Sequence, residues 1–203
     1  MENNGNVEKN IVESARNVFV EKGYDGATMR EIAAGAGINI SMLHYYYRSK
    51  DNLFDIVFND VFNRMYGRIF EVISSGRDIF AKIRTIVDIY LDTLSAEPRL
   101  PNFIFNEVTQ RPARSGRFSG HKEYILGHIG TFQQQLDEEA QRGTIRRVSV
   151  MELFVAMESL CVYPFLTHPL WQKIFDVDQE NFTRIIMARR DTYADNIIKS
   201  IEK

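Results

Sequence analysis

Residues 28–50 read TMREIAAGAGINISMLHYYYRSK, and this stretch decides the fold. Thr28-Met29-Arg30-Glu31 has the S/T-x-x-E form of a capping box, in which a hydroxyl and a carboxylate reciprocally satisfy backbone N–H groups at a helix start. Ile32, Ala33 and Ala36 supply one apolar face at helical spacing, and Gly37 supplies the positive-φ position that stops the helix. Asn39 then caps a second helix, over about Ile40 to Tyr47, with Leu43 and Tyr47 inward and Ile40, Ser41, His44 and Tyr45 outward. Ser49 caps a third start. Two short helices joined by a tight glycine turn, the second crowned with polar and aromatic groups, have the form of a DNA-reading helix-turn-helix.

Upstream, Ile11, Ala15, Val18, Phe19 and Lys22 make an amphipathic helix over 7–22, closed by Gly23. Its stripe needs the helix-turn-helix pair as a cover, so the first 50 or so residues form a three-helix unit. Downstream the periodicity predicts a long apolar helix from Lys50 to about Ser74, then helices over 79–94, 100–110, 121–142, 150–163 and 178–201. The stretch 112–120 reads as a basic loop, and Pro164 and Pro169 bracket an irregular corner. No segment alternates with period two. The expected fold is all-α with nine or ten helices, divided into a helix-turn-helix domain at 1–52 and a larger helical bundle at 53–203.

The totals narrow the function. No apolar run approaches the roughly 20 residues of a membrane span. The opening MENNGNVEKN has no apolar core, which predicts no secretory signal and a cytoplasmic location. Cys161 is the one cysteine, so an internal disulfide and a cysteine-based zinc site are excluded. The histidines at 44, 121, 128 and 168 lack H-E-x-x-H or H-x₃₋₅-H spacing, and no nucleophile elbow, P-loop or dinucleotide fingerprint occurs. No catalytic residue, metal or cofactor is expected. Net charge is −2, which does not advertise a nucleic acid. Within 26–50, however, Arg30, Arg48 and Lys50 oppose only Glu31, and 3 − 1 gives +2. Helix N-termini at Thr28, Asn39 and Ser49 add N–H donors for phosphates.

The spacing Ile11…Ala15…Phe19…Gly23-Tyr24…Thr28…Ile32-Ala33…Ala36-Gly37-Ile38, followed by Leu43…Tyr46-Tyr47…Ser49-Lys50…Leu53, resembles the TetR family of bacterial transcriptional regulators. The resemblance implies a homodimer that sets two recognition helices into successive major grooves of a near-palindromic operator. It also implies a C-terminal domain that holds the dimer surface and a small-molecule pocket. Carried over by position, Thr28 and Lys50 would meet phosphates at helix starts, and Asn39, at the start of the second helix, joins the DNA-binding candidates. Arg30, Ile40, Ser41 and His44 would face bases, and Tyr45 and Tyr46 the backbone. The sequence departs from the family where His44 replaces a common Tyr, Ser41 a common Gly and Ile40 a frequent polar residue. Operator sequence is thereby out of reach, because base readout depends on those side chains.

In the C-terminal part, Phe103, Tyr124, Phe132, Phe154 and Met157 form an aromatic and Met set that fits either ordinary core or a cavity lining. Glu107, His128 and Glu158 interrupt apolar faces, and a buried polar group needs a partner, within the protein or from a ligand. These eight are the candidate effector residues. The helices near 149–163 and 178–202 are the expected dimer surface. The function expected is a ligand-responsive regulator, a repressor released by its effector. A carrier for an apolar molecule is the competing reading.

Overall fold

A computed structural model describes the backbone of residues 2–110 and 119–203, and the side chains of 5–109 and 125–203. Among these residues the regular structure is helical, apart from an antiparallel bridge between Ile145 and Glu202. The chain forms two compact units. One takes the residues up to Arg64 and a stretch that begins at Asn102, and the other takes Met65–Pro101 and the residues after the second stretch.

In the first unit α1, Glu2–Gly26, bends at Gly23, whose φ of 67° is the left-handed conformation expected of a helix stop. α2 is Met29–Gly35, α3 Ile40–Tyr46 and α4 Lys50–Phe62. Ile11, Ala15 and Phe19 of α1 are fully buried, as are Ile32, Leu43 and Leu53. α1 lies close enough to α2 for the Ser14 hydroxyl to donate to the Ile32 carbonyl at 2.8 Å. That approach requires Gly35, since a Cβ there would sit 2.4 Å from Ser14 Oγ. An aromatic column then joins α1 to α4. Phe19 meets Phe54 edge-on at 4.9 Å, and Phe103 of α7, Leu100–Gln110, packs against Phe54 and Phe58 at 5.6 and 5.9 Å.

The helix expected from Lys50 to Ser74 is not regular throughout. A π-helical turn, Asn63–Gly67, separates α4 from α5, Arg68–Ser74. The reason is legible in the burial. Leu53, Val57, Val61, Met65, Ile69 and Ile73 are all at most 1% exposed at a strict four-residue spacing. Four residues overshoot one α-turn by about 40°, so the series would wind roughly 200° around a straight helix. One wider turn takes up part of that excess.

The second unit is built on α6, Ile79–Ala96, whose Ile83, Ile86, Val87, Tyr90, Leu91 and Leu94 have no exposed surface. α8 is Ser119–Arg142 and α9 Val150–Cys161. Lys82 is buried, and its Nζ donates to the Ile73 carbonyl at 2.7 Å, satisfying the last turn of α5. The corner expected around Pro164 and Pro169 is instead two short helices, α10 Tyr163–Leu166 and α11 His168–Phe175, each with its proline in the first turn, where the missing N–H costs nothing. The helix expected over 178–201 is also two, α12 Gln179–Met187 and α13 Arg190–Ile201. A continuous helix would carry the buried stripe of Phe182 and Ile186 onto Arg190. The break frees Arg190 to reach Asp88 at 3.1 Å, and Asp92, on α6. The loop expected over 112–120 lies, up to residue 118, outside the described residues.

Gly35→Ala tests the α1–α2 contact. Helix propensity alone favours Ala by about 1 kcal/mol, but the clash with Ser14 Oγ should reverse the sign and destabilise by about 1–3 kcal/mol in urea melts. Ser14→Ala removes the clashing atom and leaves Cβ at an ordinary 3.5 Å. The double variant should therefore be more stable than Gly35→Ala alone, and equal or lower stability would refute the contact as the cause.

Candidate nucleic-acid interface

The capping box at Thr28 forms in full. Thr28 Oγ1 accepts from the Glu31 amide at 3.2 Å, and the Thr28 amide donates to Glu31 Oε2 at 3.1 Å. At the other end of α2 the Gly37 amide donates to the Ala34 carbonyl at 3.1 Å and the Ile38 amide to the Ala33 carbonyl at 3.0 Å. With Gly37 at φ 70° this is a Schellman closure. Asn39 Oδ1 then accepts from the Met42 amide at 2.8 Å, and Ser49 Oγ from the Asn52 amide at 3.2 Å. Each connection is held by local hydrogen bonds, so the direction of α3 follows from the sequence of its flanks.

α3 buries one residue, Leu43. Ile40, Ser41, His44 and Tyr45 are exposed and fall on one side by helical spacing, with Tyr45 83% and Ile40 40% accessible. Arg30, Thr28 and Asn39 are exposed as well, and Tyr46 is half-buried with its ring edge-on to Tyr45 at 5.6 Å. Tyr47, expected inside, is only half-buried. It stands just past the helix with extended φ and ψ of −129° and 100°, so its side chain leaves the inner face. It lines a groove of about 550 Å³ with Arg16, Asp60 and Arg64 among others.

Two contacts that the spacing did not foretell sharpen the charge of this surface. Lys22 at the end of α1 pairs with Glu31 at 2.6 Å. Its hydrogen bond holds the Glu31 carboxyl below the usual range, and the single acidic group of 26–50 is thereby neutralised by a residue outside that stretch. Lys50 rests its Nζ 4.3 Å above the Tyr24 ring, while Tyr24 donates to Asp51 at 3.0 Å. Tyr24 thus orients the first turn of α4, where both charged residues stand.

The candidate effector residues separate. Phe103 is buried in the aromatic column of the first unit, and Glu107 lies one turn further along α7. The Tyr124 side chain lies outside the described residues. His128, Phe132, Phe154, Met157 and Glu158 belong to the second unit, on α8 and α9. Phe132 and Met157 are fully buried, and Phe132 meets Phe154 edge-on at 6.5 Å. His128 and Glu158 converge on Phe70 and Tyr90, which helical periodicity marks as apolar positions, and on Tyr66 and Ser74, which it does not. His128 stacks on Phe70 at 5.5 Å and hydrogen-bonds Ser74, and Phe70 stacks on Tyr66 at 6.4 Å. Tyr66 and Tyr90 each donate to Glu158 Oε1 at 3.4 Å. Burial raises the Glu158 carboxyl above its ordinary value and both phenols above theirs. Cys161, one turn on, is pushed up to about 12 by burial, which keeps it an inert thiol. The available signal was the i, i+4, i+8 placement of Tyr66, Phe70 and Ser74, which carries no trace of the distant partners on α8 and α9.

Comparison with known proteins places this geometry. Residues 11–57 match the family described as "Bacterial regulatory proteins, tetR family", and 80–195 match "Tetracyclin repressor-like, C-terminal domain". The probable HTH-type transcriptional regulator YttP of Bacillus subtilis (strain 168) is 24% identical over 159 residues, 77% of this chain and 75% of its own. The HTH-type transcriptional repressor KstR2 of Rhodococcus jostii (strain RHA1) is 27% identical over 86 residues, 42% of each chain. Among solved structures, the ketosteroid transcriptional regulator KstR2 of Mycobacterium tuberculosis superposes with a TM-score of 0.69 at 17% identity, covering 95% of this chain and 93% of its own. The transcriptional regulator FadR of Bacillus subtilis in complex with stearoyl-CoA gives 0.60 at 16% identity, over 94% and 97%. At such identities the superpositions establish the fold, while the family matches cover both the helix-turn-helix and more than half of the chain. The chain belongs to the TetR family of bacterial regulatory proteins, and is a DNA-binding transcriptional regulator.

Proposed function

We propose that this protein is a homodimeric, cytoplasmic repressor that leaves a near-palindromic operator when a small molecule occupies its C-terminal helices. DNA reading is assigned to residues 1–52, and effector reception and dimerisation to 53–203. The observation that carries the reading is the outer face of α3. Ile40, Ser41, His44 and Tyr45 are exposed on a helix locked at both ends by caps. Such a face suits base edges in a major groove, with Arg30, Thr28, Asn39, Tyr46 and Lys50 placed around it for bases and phosphates. A carrier of apolar molecules has no use for it. Related proteins described as the repressor KstR2 and as FadR with stearoyl-CoA support repression and ligand response respectively. Release is a population shift, in which the ligand favours a conformation with lower DNA affinity. The helical run from α4 through the π turn into α5 is the lever, because its residues belong in turn to each unit.

For the dimer, α9 and its neighbours offer the better surface. Met151 and Val155 on α9 are 77% and 55% exposed, and Leu170, Ile174 and Phe175 on α11 and Ile185 on α12 are uncovered too. The apolar residues of α13, by contrast, are buried within their own chain, Ile197 and Ile201 at 1% exposure. We therefore assign the partner surface to α9 and the α11–α12 region, with the expected 149–163 helix at its centre.

Selection from random duplex DNA should return an inverted repeat whose half-sites lie about 10 bp apart or somewhat more. Absence of any enriched sequence at low salt, where electrostatic binding is strongest, sinks the regulator reading in favour of the carrier. Lys50→Ala should weaken all sequences alike and lower the salt dependence, whereas His44→Ala should relax preference at one position; equal effects remove His44 from the base-reading set. Val155→Arg should shift the protein toward monomer in analytical ultracentrifugation and weaken operator binding with it. A Val155→Arg protein that remains a dimer places the interface elsewhere.

A further inference from the structure

Glu158 is an acceptor with poor partners. The hydroxyls of Tyr66 and Tyr90 both reach Oε1, each at 3.4 Å, whereas a good O–H···O contact is near 2.7 Å. Tyr90 has no exposed surface, while Glu158 keeps part of its surface open. One turn earlier on α9 stands Phe154, with Phe132 edge-on to it, and Phe70 stacks on Tyr66. The carboxyl is therefore a reachable, under-coordinated acceptor among aromatic rings. A donor delivered at ordinary hydrogen-bond distance outcompetes either tyrosine for Oε1, while an anion meets repulsion.

Of the two tyrosines, only Tyr66 lies in the π turn, Asn63–Gly67. Its neighbour Arg64, two residues earlier, pairs with Asp60 of α4 at 2.9 Å. The division between the two compact units falls between Arg64 and Met65. A π turn is a rare interruption of an α-helix and is frequently found at functional sites. The bond from Tyr66 to Glu158 ties that turn to α9.

We infer that Glu158 is the effector-reading group: an apolar molecule with one hydrogen-bond donor, a hydroxyl or an ammonium, takes Glu158 Oε1 from Tyr66, and the released π turn passes the signal into α4. This deepens the ligand-responsive reading above and rests on it. Tyr66 is a positioning residue for DNA binding, and Tyr90, which donates to the same oxygen from α6, is its built-in control.

The test uses the full-length protein and the operator returned by selection. Tyr66→Phe keeps the ring and removes the donor, so it mimics the released state. It should weaken operator binding at least fivefold and speed amide hydrogen exchange across residues 63–67. Tyr90→Phe should stay within twofold of wild type on both counts, with melting temperatures of the two variants alike. Naphthalene, 2-naphthol and 2-naphthylmethylammonium serve as probes. The donor probes should weaken wild-type operator binding at least fivefold, naphthalene less than twofold, and neither donor probe should weaken Tyr66→Phe further. Whichever donor probe acts more strongly identifies the donor as hydroxyl or ammonium. Wild-type-like binding by Tyr66→Phe, equal losses in the two Phe variants, inactive donor probes, or naphthalene as potent as they are would each overturn the inference. A wild-type protein that selects no operator fails the underlying reading instead, before any variant is compared.

Discussion

A helix of seven residues does not hold its shape in water, because the first turn fixes several backbone angles for one hydrogen bond. Both α2 and α3 are that short. Everything this protein offers to DNA depends on supplying order to them from outside. The supply comes in two forms. Local caps at Thr28, Asn39 and Ser49 and the Schellman closure at Gly37 satisfy the free amides and carbonyls. Long-range packing then buries Ile32, Ala33 and Leu43, with α1 held to α2 by the close approach of Ser14 to Ile32 and to α4 by the meeting of Phe19 with Phe54. Neither form suffices alone, which explains why a reading face with little charge can still be held rigidly.

The same division of labour explains the modest electrostatics. A net charge of −2 gives no general attraction to phosphate. The surface compensates by arrangement, with Lys22 silencing Glu31 and Tyr24 seating Lys50 over its ring. Exposed pairs such as these contribute little to stability. Their effect is on where the cations point, and hence on how phosphates are met.

In the second unit the polar residues that interrupt apolar faces have found partners on the π turn, α5 and α6. Lys82 satisfies the end of α5, His128 binds Ser74, and Glu158 takes two phenols. Three buried or half-buried polar groups thus stitch α5 to α6 and α8, and the π turn and α6 to α9. The weakest stitch in geometry is the one at Glu158, and it is attached to the one irregular turn of the long helical run.

What the sequence by itself determined is what short-range chemistry controls. Caps, glycine stops and helical apolar periods act within a few residues, so the helix-turn-helix, its outward residues and the all-α class were legible along the chain. The family resemblance rested on those same positions, and the match over 11–57 bears it out. Tertiary structure alone decided the rest. The π turn at 63–67 arises because buried positions four residues apart must stay covered, and the break at Ala188–Arg189 leaves Arg190 able to reach Asp88 and Asp92 of α6. Phe103 joined an aromatic column with Phe54, and Tyr66 met Glu158, 92 residues away. Partners so far apart in the chain leave no periodic trace, since only folding brings them within reach.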